Sequence, residues 1–507
     1  MNTNNILNTK IMKKLVYTIS IVLIACSAFA QDLTDALRYS NYHMTGTARS
    51  AAMGNAFGAL GGDFSSLSIN PAGLGVYRSG EFTLTPSFGQ TSIDGTYLNN
   101  KLTDSKYNIS LDNLGYVTTF NTSENSESGL VSINFGLGFN KLGSFTMNSL
   151  AEGSNSNHSL LTYFTETANN TGVSSDNLDP YYERLAWNTN LLLYDNTNKE
   201  YFNDITDKGY GQSQRKTIDR RGYINEYVLS VAANFNHKFY LGATLGIQDV
   251  YFKENGNLYE WDANNNIPYF NNFNFNNYLK TTGNGVNFKI GAIFKPIEQL
   301  RLGVAFHTPT FYKFSDLYDS GMKSSITYDD GVTENKSAYP DKEGAYDYHI
   351  ETPMKAILSG ALVVGKAGLI SVDYEIVDYS SAKIKNGSDG YDYFDENNTI
   401  SQAYKTVGNL HVGGELRVNK SFSLRAGYEN FPSAYKNTLN GVYNPNSGQS
   451  YTTASAGFGF REGNVFFDAA YKRIMSSEYN KLYPGAINLA KYDATQDNVI
   501  FTLGFKF

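Results

Sequence analysis

The sequence predicts an all-β protein: a transmembrane antiparallel β-barrel of about fourteen strands with a small N-terminal helical hatch. Three observations lead there. Many short runs alternate apolar with polar side chains, short and long polar links alternate between those runs, and a compact stretch of small residues precedes them all. Composition agrees: the 507 residues include 39 Tyr and 32 Phe but only 11 Pro, with a mean hydropathy of −0.37. After residue 30 no apolar run approaches the ~20 residues a membrane helix needs. Barrel strands escape such a scan, because their lipid-facing and lumen-facing residues average out.

At the N-terminus, Lys13-Lys14, the apolar segment Leu15–Ala25 and the small-x-small site Ala28-Phe29-Ala30 read as a signal peptide over residues 1–30, with Met12 an alternative start. Cleavage there removes Cys26, the only cysteine, and with it any disulfide, thiol nucleophile or cysteine metal site. The competing reading is a lipobox, Leu23-Ile24-Ala25-Cys26, with Cys26 lipidated. Residues 31–78 are the expected hatch. Ala48, Ala51, Ala52, Gly54, Ala56, Gly58 and Ala59 leave thin helix surfaces that pack closely in a narrow lumen, and small apolar residues are not the composition of a disordered arm. Asn70-Pro71-Ala72-Gly73 then turns the chain into the wall, since Pro fixes φ and disfavours helix before it.

The barrel is expected over 79–507, with strands near 80–89, 112–121, 128–140, 225–236, 238–251, 284–296, 299–310, 353–364, 367–378, 404–418, 421–430, 450–460, 463–473 and 497–507. The last is the clearest: Val499, Phe501, Leu503, Phe505 and Phe507 share one face, and Ile500, Thr502, Gly504 and Lys506 the other. A terminal Phe in such a strand is the kind of signal read by the barrel assembly machinery, so Phe507 is its expected contact. Short links such as Asn236-His237, Gly365-Lys366 and Asn419-Lys420 alternate with long ones such as 141–224, 252–283 and 311–352. An even strand count puts both chain ends on the short-turn side, and the hatch in the periplasm or the lumen.

Several classes fall away. A net charge of −7 without a basic stripe argues against nucleic acid. No cofactor motif is present, and the acidic run Asp389–Glu396 lacks the spacing of a calcium loop. None of the six histidines sits in a catalytic motif, so no enzyme is expected. On the inward faces Asp373, Glu375, Glu415, Arg417 and Arg425 lie on neighbouring strands, where opposite charges pair across a ladder and brace the lumen. The other reading is a ligand-carboxylate site on Arg417 or Arg425, because guanidinium binds carboxylate bidentately.

The segments Ala48-Arg49-Ser50-Ala51-Ala52-Met53-Gly54-Asn55-Ala56 and Ser68-Ile69-Asn70-Pro71-Ala72-Gly73-Leu74 resemble the hatch of the FadL/TodX family of outer-membrane transporters of long-chain fatty acids and hydrophobic compounds. Leu302–Thr310 is similar to a strand of that family that runs into an outer loop at a proline. The resemblance implies passive uptake of hydrophobic small molecules, such as long-chain fatty acids or hydrocarbons, by a monomer in the outer membrane of a Gram-negative-type cell. It also implies a pocket beside the hatch and a lateral exit through a kinked strand into lipid, a route that keeps an apolar solute out of water. Gly136 and Gly138 in the third strand are the expected kink, since glycine in a strand often marks a bend; the alternative is that they make room for the hatch. Relatives with a similar start also act in protein secretion, so an outer-membrane scaffold or shuttle is the second functional reading.

Overall fold

The computed structural model describes residues 34–122, 129–205 and 211–507. The expected signal peptide, with Met12 and Cys26, lies outside the described residues.

The alternating runs form a closed barrel of 14 antiparallel strands. These are β1 (Glu81–Tyr97), β2 (Asn100–Asn121), β3 (Leu130–Ser144, continued by Met147–Ser156), β4 (Gln212–Phe235), β5 (Phe239–Trp261), β6 (Phe270–Phe294) and β7 (Leu300–His307, continued by Phe311–Thr327). The second half comprises β8 (Gly344–Glu351 and Lys355–Val364), β9 (Gly368–Asp378), β10 (Thr406–Arg417), β11 (Phe422–Phe431), β12 (Tyr451–Glu462), β13 (Val465–Lys481) and β14 (Leu489–Lys506). β14 pairs back onto β1, with Lys506 opposite Glu81, and closes the cylinder.

The faces are the inverse of a soluble domain. Leu503 is 54% exposed on the outside, while its neighbour Thr502 is 1% exposed inside. Leu241, Leu245 and Ile247 of β5 and Val286, Phe288 and Ile290 of β6 continue the outward apolar belt. Among the described residues no helix is long and apolar enough to cross a membrane.

One expectation changes. The strands run far beyond the predicted stretches: β4 starts at Gln212 rather than near 225, β5 reaches Trp261, and β6 begins at Phe270. The expected loops 141–224 and 252–283 are therefore partly wall. Above the bilayer the outer face meets water, so both faces are polar and the alternation disappears. The hatch is the expected small helical plug, built of short helices: α1 (34–38), α2 (Ala48–Ala52), α3 (Ser66–Ile69) and a 3-10 helix (Pro71–Val76). Gly54, Gly61 and Gly62, at φ +58°, +64° and +67°, interrupt them.

The long-loop end is capped. Between β3 and β4 lie α4 (Leu160–Thr171) and α5 (Glu183–Asn188), whose Leu161, Phe164 and Leu185 form an apolar cluster with Phe273, Phe275 and Tyr483 of the upper wall. Between β9 and β10, α6 (Phe394–Ala403) places Ile400 and Ala403 in a second cluster with Tyr312, Phe314 and the hatch residue Tyr39.

Candidate functional site: the hatch, its chamber and the parted wall

Small residues on both surfaces let the hatch lie directly on the wall. A Cβ placed on Gly413 or Gly427, which face each other on β10 and β11, would come within 3.0 Å of the Met53 and Gly54 backbone. Gly242 meets the Pro71–Ala72 backbone equally closely, Gly303 meets Gly58, and Gly291 meets the Asn70 side chain.

A chain this irregular leaves backbone groups that need partners, and inward side chains supply them. Asp373 Oδ2 accepts from Gly58 N (2.7 Å), and Thr502 Oγ1 accepts from Ala48 N (2.7 Å). Arg301 donates to Leu60 O (2.6 Å), and Asn134 donates to Leu74 O (2.6 Å) and Tyr77 O (3.0 Å). His307 Nε2 lies 2.8 Å from Ile69 O and His411 Nδ1 lies 3.0 Å from Gly54 O. A carbonyl only accepts, which makes those two nitrogens the protonated ones.

The motif residues hold the last turn of the hatch. Asn70 caps the 3-10 helix, accepting from Ala72 N (3.1 Å) and donating to Gly58 O (2.6 Å) and Ala292 O (3.3 Å). Pro71 takes the first helical position, where its missing N–H costs nothing. Gly73 O accepts from Gly62 N (3.0 Å), and Ala72 is fully buried.

Charges tie hatch to wall. Glu415 and Arg425 lie directly opposite on β10 and β11, 2.7 Å apart. Glu415 also holds Arg49 of the hatch (3.1 Å), and Arg425 reaches Asp468 (2.5 Å). A second set joins Asn55 Nδ2 to Glu429 (2.9 Å), itself paired with Lys472 (3.1 Å). Arg417 takes no part; it is exposed at the short-turn end of β10.

Between hatch and wall is a chamber of about 70 Å³, bordered by Tyr42, Met44, Leu142, His307, Lys355 and Glu375. Asp373 also lines it, and its Oδ1 has no hydrogen-bond partner among the described residues. Lys355 Nζ lies 3.7 Å from Glu375 and 4.4 Å from the Tyr42 ring centroid. Glu375 also accepts from Asn409 (2.8 Å). Lys289, by contrast, is locked to Glu226 at 2.5 Å. Nearby, His43 stacks on Tyr451 (3.5 Å between centroids); burial first, then Lys472 and Lys355, holds its pKa well below the usual value, so it is neutral.

The wall parts beside this chamber. β2 and β3 pair from Asn121 opposite Ser132 to Asn113 opposite Asn140, and no further. β3 then shifts register between Lys141 and Gly143, breaks at Phe145-Thr146, and continues as Met147–Ser156 along β4 alone. That continuation runs under the β1–β2 hairpin, where Asn100 Nδ2 donates to Glu152 O (3.1 Å). At the parting point Asn113 Nδ2 bonds Asn140 Oδ1 (2.8 Å), and Lys141 lies 3.8 Å from Asp112. Gly136 and Gly138, the residues of the expected bend, precede this point in β3. The ladder is regular there on both sides, and the two glycines face Leu67 and Phe64 of the hatch, whose side chains leave no room for a Cβ.

The sequence profile described as outer membrane protein transport protein (OMPP1/FadL/TodX) matches residues 22–507. No curated protein matches the chain. Among solved structures it is similar to a Pseudomonas aeruginosa FadL homologue, with 14% identity, 92% of this chain and 99% of that chain covered, and a TM-score of 0.55. It is also similar to the Pseudomonas putida toluene transporter TodX, with 12% identity, the same coverages of 92% and 99%, and a TM-score of 0.50. At such identities the likeness speaks for the fold, whereas the profile spans nearly the whole chain. The chain belongs to the outer membrane protein transport family, OMPP1/FadL/TodX.

Proposed function

We propose that the chain carries hydrophobic small molecules, such as long-chain fatty acids or hydrocarbons, passively across the outer membrane of a Gram-negative-type cell. The observation that carries this reading is the parting of β2 from β3 beside a lumen filled by the hatch. A straight aqueous path is blocked, and an apolar solute gains nothing from one. Each methylene kept out of water is worth ~0.8 kcal/mol, so ten of them favour a wall exit into lipid by about 8 kcal/mol. A carboxylate head group, where the cargo has one, meets Lys355 rather than Arg425, whose guanidinium is already held by Glu415 and Asp468. Arg417 is too far toward the short-turn end to serve. Phe507, 53% exposed beside Phe505, is the terminal aromatic offered to the barrel assembly machinery.

The test closes the exit. With the signal peptide removed the chain has no cysteine, so Asn113→Cys with Asn140→Cys, opposite each other as the last β2–β3 pair, gives one disulfide at the parting point. Uptake of a fluorescent fatty acid and of toluene into proteoliposomes should stop on oxidation and resume on reduction. Full uptake by completely oxidised protein refutes the lateral route, and absence of saturable uptake of either probe by the unmodified protein refutes transport. Mass spectrometry of apolar compounds extracted from the purified protein identifies the cargo.

A further inference from the structure

Outside the lumen, the wall of β4–β7 climbs well above the apolar belt, and its register lays the outward side chains in cross-strand rows. Tyr227, Ile247, Val286 and Phe311 form an apolar row. Four residues higher, Tyr223 lies opposite Tyr251 with rings stacked 6.0 Å apart, in the position of an interfacial aromatic girdle. The next outward row is Arg221, Lys253 and Lys280, directly opposite one another on three adjacent strands.

Like charges so placed repel, and the row supplies no carboxylate of its own; its fourth member is Leu317. Asp219 touches Arg221 at 3.3 Å but is also held by Lys106 at 2.7 Å, and Lys253 sits 5.1 Å from the centroid of the Tyr278 ring. Among the described residues Lys253 and Lys280 therefore have no carboxylate within ion-pair distance, and Arg221 shares Asp219 with Lys106. Immediately above it is a groove of about 440 Å³, lined by Asp104, Asn148, Asn255, Asn276, Asp319 and Tyr339. Carboxamides, carboxylates and phenols offer the paired donors and acceptors that vicinal hydroxyls need. Asn148 Oδ1 is buried there without a hydrogen-bond partner among the described residues.

Height selects the ligand. At ~3.4 Å per residue and ~40° tilt, the cations stand about 5 Å above the girdle and the groove about 10–15 Å above it. Phospholipid headgroups fill only about 5–8 Å beyond the hydrocarbon. A lipid that reaches both levels carries sugars on its phosphates.

We propose that this outer face binds the phosphorylated saccharide headgroup of an outer-leaflet glycolipid, with its phosphates on Arg221, Lys253 and Lys280 and its sugars in the asparagine-lined groove. The site lies on the lipid side of the wall and is independent of the transport reading.

The test uses the full processed protein in detergent, with a rough-type lipopolysaccharide as probe and binding read by native mass spectrometry. Each cation near an anionic surface is worth roughly five-fold, so the triple change Arg221→Gln, Lys253→Gln, Lys280→Gln should weaken binding about 100-fold. Asn255→Ala with Asn276→Ala should weaken the lipopolysaccharide while leaving phosphatidylglycerol unchanged. Heat-modifiable gel mobility confirms that each variant is a folded barrel. The proposal fails if the triple variant binds like the parent, if phosphatidylglycerol binds the parent as tightly as the lipopolysaccharide, or if inorganic phosphate displaces the lipid.

Discussion

Replacing Gly427 by Ala should unseat the hatch while sparing the barrel. Gly427 is paired on both sides, with Gly413 of β10 and Ser455 of β12, so the wall cannot withdraw. Its new methyl would lie within 3.0 Å of Gly54 N and the Met53 carbonyl carbon. Carbon contacts rest at ~3.5–4.0 Å, so the hatch must retreat about 1 Å. That retreat stretches the bonds from His411 to Gly54 O (3.0 Å) and from Asn55 to Glu429 (2.9 Å). Overpacking costs ~1–3 kcal/mol and each weakened hydrogen bond ~1 kcal/mol. Together they remove about 3–5 kcal/mol of hatch docking. Planar-bilayer conductance and limited proteolysis of the hatch read the result: conducting events should appear, and cleavage within 43–75 should accelerate at least about ten-fold, the factor for 1.4 kcal/mol. Gly360→Ala is the control, because nothing lies within 4 Å of the added methyl. If Gly427→Ala behaves like the parent and like Gly360→Ala in both assays, the hatch is not seated on the glycine bed and the reasoning is wrong.

Glu415→Gln leaves Arg49 and Arg425 short of one shared carboxylate in a mostly buried network; removing one partner of such a set costs ~3–5 kcal/mol, which should appear as a lowered hatch-release midpoint in urea, with the barrel transition unmoved. Asn70→Ala loses the cap and two donated bonds and should cost about 2–4 kcal/mol; Asn70→Asp should be worse, because it turns a carboxylate oxygen toward Gly58 O and Ala292 O, and the same urea transition measures both. Burial pushes the Glu183 carboxyl, at the start of α5, from 4.5 up to about 7. Between those values the folded cap holds a proton that the unfolded chain has lost, so cap stability falls as pH rises through that window and is level above it; the loss is about 3 kcal/mol. Amide exchange in α5 at pH 5 and pH 8 should show it, and Glu183→Gln should abolish the difference.

What the sequence reveals is what the bilayer constrains. In β14 lipid demands Val499, Phe501, Leu503 and Phe505 on one face, and that strand is readable residue by residue. Residues 212–224 of β4 have water outside and polar groups inside, so nothing in their pattern separates wall from loop. The Glu415–Arg425 pair follows from register between neighbouring strands. Glu226 and Lys289 are 63 residues apart and two strands apart, meeting across β5 beside Gly246, a contact no nearest-neighbour register exposes. Arg49 finds Glu415 across 366 residues only because of how the hatch is turned in the lumen, which no local pattern encodes. Lys355 follows Pro353 at a strand break, where it reads as an edge rather than as the border of a chamber. The glycines of the hatch signal its close packing, and Gly54, Gly61 and Gly62, at positive φ, are why its helices are short.

Hatch, chamber and parted wall meet in a few side chains, which under the proposed route would tie loading to opening. Ser68 of α3 accepts from Asn140 Nδ2 at 2.8 Å, and Asn140 is the last residue of β3 still paired with β2. Ser68 also lines the chamber, together with Ile69 beside it and Leu142 just beyond the parting point. A chamber of about 70 Å³ is too small for a long-chain ligand, so occupancy must displace part of its border. Moving Ser68 strands the buried Asn140 carboxamide at a cost of ~1–3 kcal/mol unless β3 turns to find another acceptor. Asn140 and Leu142 share one strand, so such a turn would act on the point where β2 and β3 stop pairing. Under the proposed lateral route, a ligand large enough to need that exit would be one whose arrival strains the last β2–β3 pair.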